Sequence, residues 1–238
     1  MNQKSQSSDS VQLSSDPLIS FVNVTKGYLS KEPVFKNINL KIDNGEFLFL
    51  TGISGAGKST VFRLLMGLEK PDSGQVFFQG QEVAGLNKKN LSFHRRNIGM
   101  IFQDYKLLQN KTTLENIEVP LLIKGFPSKQ RELLIGQISK TSQIRHLLHQ
   151  KVESLSGGEQ QLVAIARAAI HSPKVILADE LTANLDQTMA NLIIETLRNL
   201  NESGVTVIIA THDVNLIKTY RQRILLLKNA DLIEVQQD

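Results

Sequence analysis

The stretch Gly52-Ile53-Ser54-Gly55-Ala56-Gly57-Lys58-Ser59 limits what this chain can fold into more than any other. It satisfies G-x-x-x-x-G-K-[ST] and lies between the apolar run Glu46 to Thr51 and an apolar helical pattern from about Lys58 to Leu68. The bare pattern arises by chance in roughly one chain in a hundred of this length, and correct flanks make chance rarer. Each residue type has a task. Glycines let the backbone curl so that the N–H groups of the loop, from Gly52 through Ile53, Ser54, Gly55 and Ala56 to Gly57, turn inward. The helix that follows, with Thr60 in its first turn, adds its positive N-terminus; Lys58 adds a full charge, and Ser59 offers an oxygen to Mg²⁺. The loop therefore predicts binding of a nucleoside triphosphate together with Mg²⁺.

Such a loop needs an acid near the metal at the end of a neighbouring strand. Val175-Ile176-Leu177-Ala178 is a short apolar run that ends in Asp179-Glu180. Asp179 is placed to orient hydrated Mg²⁺, and Glu180, where the strand gives way to a loop, to polarise the attacking water as general base. Side chains alternate along a regular strand, so the two carboxylates are expected to point to opposite sides.

Around these motifs the pattern is α/β. The strands Leu18 to Val24, Ile38 to Ile42 and Glu46 to Thr51 read as an antiparallel start, with Asn44-Gly45 suited to a two-residue hairpin turn. From Ser156 onward, near-continuous apolar strands (Lys174 to Ala178, Val205 to Ala210) alternate with helices (Gly158 to Ile170, Gln187 to Asn201, Val214 to Tyr220), which indicates a parallel sheet covered on both faces. A closing pair, Arg223 to Leu227 and Asp231 to Val235, ends the pattern. About 104–165 reads as an inserted helical subdomain, with Pro120 and Pro127 as breaks. Residues 1–17 read as a disordered, Ser-rich polar tail without a signal-peptide core, and 18–238 as one ATPase domain.

Composition narrows the field. The chain has no cysteine, which excludes disulfides, thiolate zinc sites and a cysteine nucleophile. Its net charge of +4 falls short of a dedicated nucleic-acid binder. No run approaches the roughly 18 to 20 apolar residues that span a bilayer, so membrane association is expected to be indirect. Lys88, Lys89, His94, Arg95 and Arg96 read as a solvated face. For Leu107, Leu108 and Pro120 to Ile123, a partner-facing surface and a subdomain core both fit the pattern.

Leu155-Ser156-Gly157-Gly158-Glu159-Gln160 resembles the signature of the ATP-binding-cassette ATPases. The resemblance implies a P-loop core with a mixed sheet, an N-terminal antiparallel β-subdomain and an inserted helical subdomain. It also implies that Tyr28 stacks on adenine, that Gln103 senses Mg²⁺ and water, that His212 contacts the γ-phosphate, and that Asp186 lies in the loop crossing a dimer interface. In such a head-to-tail dimer Ser156, Gly157 and Gly158 act on ATP held by the other subunit. Hydrolysis then opens the sandwich, and the motion reaches a membrane partner through the groove near Gln103.

Within the family, TGISGAGKST, IGMIFQDYKLL, LENIEVPLLIKG, LSGGEQQ and ATHDVNLI are most similar to the FtsE type of bacterial cell-division ATPase. That type works with the integral membrane protein FtsX at the cytoplasmic face of the inner membrane. Lipoprotein-releasing and macrolide-type exporters share several of these stretches, and an ATP-dependent scaffold with little hydrolysis is the alternative of another class. Three residues depart from the family pattern: Leu181 in place of proline, Ala183 in place of glycine and Leu162 in place of arginine. Because proline fixes φ, Leu181 is expected to leave the loop beside Glu180 less restrained and the ATPase active but slow.

Overall fold

A computed structural model of the chain describes residues 16–28, 32–181 and 185–235. Most of the segment read as a polar tail, 1–15, lies outside the described residues, as does Ala183.

Two sheets stack on each other. The smaller is antiparallel, in the order β2-β1-β4-β5: β1 (Ile19–Lys26), β2 (Phe35–Ile42), β4 (Ser73–Phe78) and β5 (Gln81–Glu82). The larger runs β10-β9-β3-β8-β7-β6 and comprises β3 (Phe47–Thr51), β6 (Ile98–Ile101), β7 (Val175–Asp179), β8 (Thr206–Ala210), β9 (Arg223–Lys228) and β10 (Asp231–Val235). Its neighbours are parallel except for the closing β9/β10 pair. Helices α1 (Lys58–Leu65), α2 (Lys88–Arg95), α3 (Thr113–Lys124), α4 (Ser128–Thr141), α5 (Gly157–Ala169), α6 (Gln187–Glu202) and α7 (Val214–Tyr220) connect the strands.

The apolar runs explain the layering. In β3, Phe47 and Phe49 belong to one hydrophobic cluster, Leu48 and Leu50 to the other. The same alternation splits Ile176 and Ala178 from Val175 and Leu177, and Val207 and Ile209 from Ile208 and Ala210. A strand buried on both faces must be apolar through its middle, and these carry a polar residue only at one end, Thr51, Asp179 and Thr206. One cluster fills the space between the larger sheet and the helices α5, α6 and α7; the other joins it to α1 and the smaller sheet.

Three sequence expectations are corrected here, and one left open is resolved. Asn44-Gly45 does not close a hairpin: β2 pairs with β1, while β3 lies parallel between β9 and β8. The Gly45 N–H instead donates to Thr206 Oγ1 at 2.8 Å, which ties the crossing between sheets to the start of β8. β2 buries alternate residues and β3 nearly all, so the two cannot be equivalent strands of one half-exposed ribbon. Pro120 sits inside α3 without ending it, whereas Pro127 does precede a helix start. His94 and Arg95 are not solvated spectators. His94 is buried with Nε2 2.6 Å from the Leu65 carbonyl, and Arg95 donates to the carbonyls of Met66 and Gly67, so α2 is stitched to the end of α1. Finally, Leu107 and Leu121 are core, while Leu108, Leu122 and Ile123 are exposed.

Candidate nucleotide site

Parallel strands deliver their carboxyl ends to one edge, where ligands bind in such sheets. The register aligns Leu50 with Ala210, Ala210 with Asp179, and Ala178 with Ile101. Immediately beyond these positions come the P-loop, Thr211-His212, Asp179-Glu180 and Phe102-Gln103.

Gly57 caps α1 with φ 106°, in the left-handed range, and a Cβ there would lie 2.2 Å from Val34 Cγ1 and 2.8 Å from Phe35 Cε1. Only glycine fits. No side chain caps α1 and no acid sits in its first turn, so the helix presents open N–H groups and unopposed positive potential to the loop. Lys58 is buried; its Nζ donates to the Gly52 carbonyl at 2.9 Å and pairs with Glu180 Oε1 at 3.4 Å.

Ser59 Oγ donates to Asp179 Oδ2 at 2.9 Å. Burial pushes the Asp179 carboxyl above the usual range and the neighbouring Glu180 charge adds to this, while the Ser59 hydrogen bond, Lys58 and Arg63 oppose it. Glu180 does not continue the strand. Its φ is 50°, and its second oxygen lies 2.9 Å from His212 Nδ1. The two acids therefore do not point to opposite sides: both line one polar cavity of about 230 Å³ with Gln103, Ser54, Gly55 and the Gly57–Thr60 turn. His212 itself is 71% exposed at the side chain, held in place by Glu180.

A second, mostly apolar cavity of about 430 Å³ adjoins the first, and Ser54 and Gly55 line both. Tyr28 forms part of its wall, together with Ile53, Ala56, Pro33 and Val34. The Tyr28 hydroxyl donates to Glu69 Oε2 at 2.7 Å and lies 3.2 Å from Thr60 Oγ1, which fixes the ring beside the loop. Leu226 to Ala230, the end of β9 and its turn, close the far side; no motif marks them in sequence. An apolar compartment joined to a cationic, N–H-rich one matches a base joined to phosphates. The oxygens of Ser59, Asp179 and Gln103 could hold a hard divalent ion. Among the described residues no group of three or more His, Cys, Asp or Glu gathers for a metal.

Ser156, Gly157, Gly158 and Asp186 line neither cavity. Ser156 caps α5 in a reciprocal capping box with Glu159, and Asp186 caps α6 by accepting from the Met189 N–H at 2.9 Å. The two caps meet at Met189, whose Cγ would lie 2.5 Å from a Cβ on Gly158. Of the departing residues, Leu181 is 2% exposed in the larger core and Leu162 is buried there too. Side-chain burial thus anchors the loop after Glu180 at Leu181.

The family model described as ABC transporter matches residues 35–183. The cell division ATP-binding protein FtsE of Haemophilus influenzae is 40% identical over 217 residues, covering 90% of this chain and 99% of that protein. The methionine import ATP-binding protein MetN of Clostridium acetobutylicum is 38% identical over 211 residues, covering 88% of this chain and 66% of that protein. Among solved structures, the dimeric post-hydrolysis state of the ATP-binding cassette MJ0796 bound to ADP and Pi aligns with a TM-score of 0.82 at 36% identity, covering 92% of this chain and 98% of the other.

Proposed function

This chain belongs to the ABC transporter family as an ATP-binding subunit, and from that premise we propose that it is an Mg²⁺-dependent ATPase of the FtsE type. It acts in bacterial cell division with an FtsX-like integral membrane partner, peripherally at the cytoplasmic face of the inner membrane. The observation that carries the division role is 40% identity to FtsE across 90% of the chain. No helix among the described residues is long and apolar enough to cross a membrane, so attachment goes through the partner.

In this reading the P-loop N–H groups and Lys58 hold the β- and γ-phosphates, and Tyr28 stacks on the base. Ser59, Asp179 and Gln103 would hold Mg²⁺, and their hydroxyl, carboxylate and amide oxygens fit that ion. The metal supplies charge neutralisation across the phosphate oxygens. Glu180, already within 2.9 Å of His212 and 3.4 Å of Lys58, accepts the proton of the attacking water, while His212 orients on the γ-phosphate. A triphosphate competes with Glu180 for Lys58, so substrate binding frees the carboxylate for that water.

The exposed helix start at Ser156-Gly157 faces neither cavity of its own chain, which supports a role on ATP held by a second copy. The dimeric structure of MJ0796 supports pairing of two copies, and in this reading Asp186 lies in the loop that crosses between them. Purification from solubilised bacterial membranes, with identification of the co-purifying membrane protein and Mg²⁺-ATP turnover of the complex, tests the proposal. Recovery with an amino-acid importer or a lipoprotein exporter would overturn the division role, and turnover indifferent to chelation the metal assignment.

A further inference from the structure

A third cavity, of about 320 Å³, lies between α2, the C-terminal half of α3 and the turn after α5, and shares no residue with the two at the P-loop. Lys88, Arg95, Arg96 and Lys124 line it beside His171, and no carboxylate does. Among the described residues these four cations form no ion pair; Arg96 and Lys124 are half-buried, while Lys88 and Arg95 are exposed.

Their hydrogen bonds are incomplete as well. Arg95 is occupied by the carbonyls at the end of α1, and Lys124 Nζ donates to the His171 carbonyl at 2.9 Å. Arg96 stacks its guanidinium on Phe93 at 5.0 Å, and its Nε is buried without a partner. His171 Nδ1 is buried without a partner too. Burial and the Arg96 charge lower the Lys124 pKa; burial and the Lys124 charge bring His171 down to about 4. Positive charge is thus crowded into a place that disfavours it, beside an Arg96 Nε–H that lacks an acceptor. A bound anion relieves both penalties.

We propose that this pocket is a second oxyanion site, built for a phosphate group carried by a soluble molecule or by a lipid headgroup. Phosphate fits better than a single carboxylate because one planar guanidinium and two flexible ammonium groups converge on it. The volume falls within the ~300 to 1,000 Å³ usual for small-ligand sites. The apolar wall is Ile98, Pro120 and Ile123, and Ile123 and the stacked Phe93 are exposed at 62% and 51%, a surface that suits a headgroup at a membrane interface.

The test uses the full chain with a non-hydrolysable ATP analogue and Mg²⁺ saturating the P-loop, so that every phosphate position there is filled and only a second site is counted. Calorimetric titration with inorganic phosphate should show binding that Lys88→Gln and Arg96→Gln each weaken about tenfold or more. Lys88 is exposed on the first turn of α2, so its variant keeps the fold even if the Arg96 variant melts early. ATP turnover should stay unchanged. Flotation with phosphatidylglycerol against phosphatidylcholine vesicles separates the sources. Selective flotation lost in Lys88→Gln assigns the headgroup, and phosphate binding without flotation assigns a soluble ligand. The proposal fails if neither probe binds, if the variants bind as well as the native chain, or if acetate competes as strongly as phosphate. The last result would give the pocket to a carboxylate of a protein partner.

Discussion

Replacing Glu180 by glutamine removes one charge and almost no volume, and so isolates its proton-accepting role. A positioned general base contributes roughly 10² to 10⁴ in rate, about 3 to 5 kcal/mol of barrier at ~1.4 kcal/mol per tenfold. The same change breaks the 3.4 Å pair with Lys58, whose side chain is 8% exposed. Lys58 keeps its bond to the Gly52 carbonyl, so the stability cost should stay near 2 kcal/mol, a drop of about 4 to 8 °C in Tm for a chain of this size. A loss of stability that small leaves the protein folded at assay temperature, and the turnover loss cannot be blamed on unfolding. Phosphate release at saturating Mg²⁺-ATP should fall at least a hundredfold while ATP binding persists. The 2.9 Å contact between Glu180 and His212 predicts non-additivity, so that Glu180→Gln with His212→Ala loses little more than the worse single variant. Turnover within about threefold of the native value in Glu180→Gln would refute the reasoning, and losses that multiply in the double variant would refute the coupling.

Gly57→Ala forces a Cβ to 2.2 Å from Val34 Cγ1 at φ 106°, and about 1 to 2 kcal/mol of backbone strain plus 1 to 3 of overpacking should lower both the thermal midpoint and ATP affinity. Leu181→Ala should cost about 2 to 5 kcal/mol in chemical denaturation and lower kcat more than a core truncation far from the site, such as Leu197→Ala. Acid should unfold the chain in a defined window. Burial holds His94 and His171 below their ordinary pKa, His171 at about 4, so the unfolded chain binds more protons than the native one. Their stabilising effect is complete above about pH 6.5 and is lost as pH falls towards 4, by on the order of 3 kcal/mol for His171; denaturant midpoints in His171→Gln should vary less over that window.

What could be read from sequence was local. The P-loop, the acid-capped strand and the apolar strands of the larger sheet are contiguous signals whose chemistry needs no partner. What could not be read was pairing. Asn44-Gly45 carries hairpin chemistry, yet β3 is drawn away because its four apolar residues are buried on both faces, which only the centre of a parallel sheet provides. No broad apolar stripe marks α2: it is tied down by carbonyl-seeking His94 and Arg95, and a buried histidine beside basic residues looks the same as a solvated one. Tyr28 is fixed by Glu69, forty-one residues away in sequence. Pro120 reads as a break on propensity alone, and the packing of Ile117 and Leu121, both fully buried around it, overrides that propensity.

The adjacency of Asp179 and Glu180 also has an energetic explanation. Asp179 is the last ladder residue, opposite Ala210, and its side chain meets Ser59. In a regular strand the next carboxylate would point to the opposite face. Glu180 instead donates its N–H to the Ala210 carbonyl and turns through φ 50°, a conformation that costs a non-glycine residue about 1 to 2 kcal/mol. Leu181 follows immediately and drops into the larger core at 2% exposure, which contributes about 1.5 to 3 kcal/mol, enough to offset the strain. The Lys58 pair adds to the same side. Proline at 181 would restrain the loop by fixing φ; leucine restrains it by being unable to leave the core. The two acids therefore share one cavity because a buried side chain one residue further on makes the strained turn the lower-energy state.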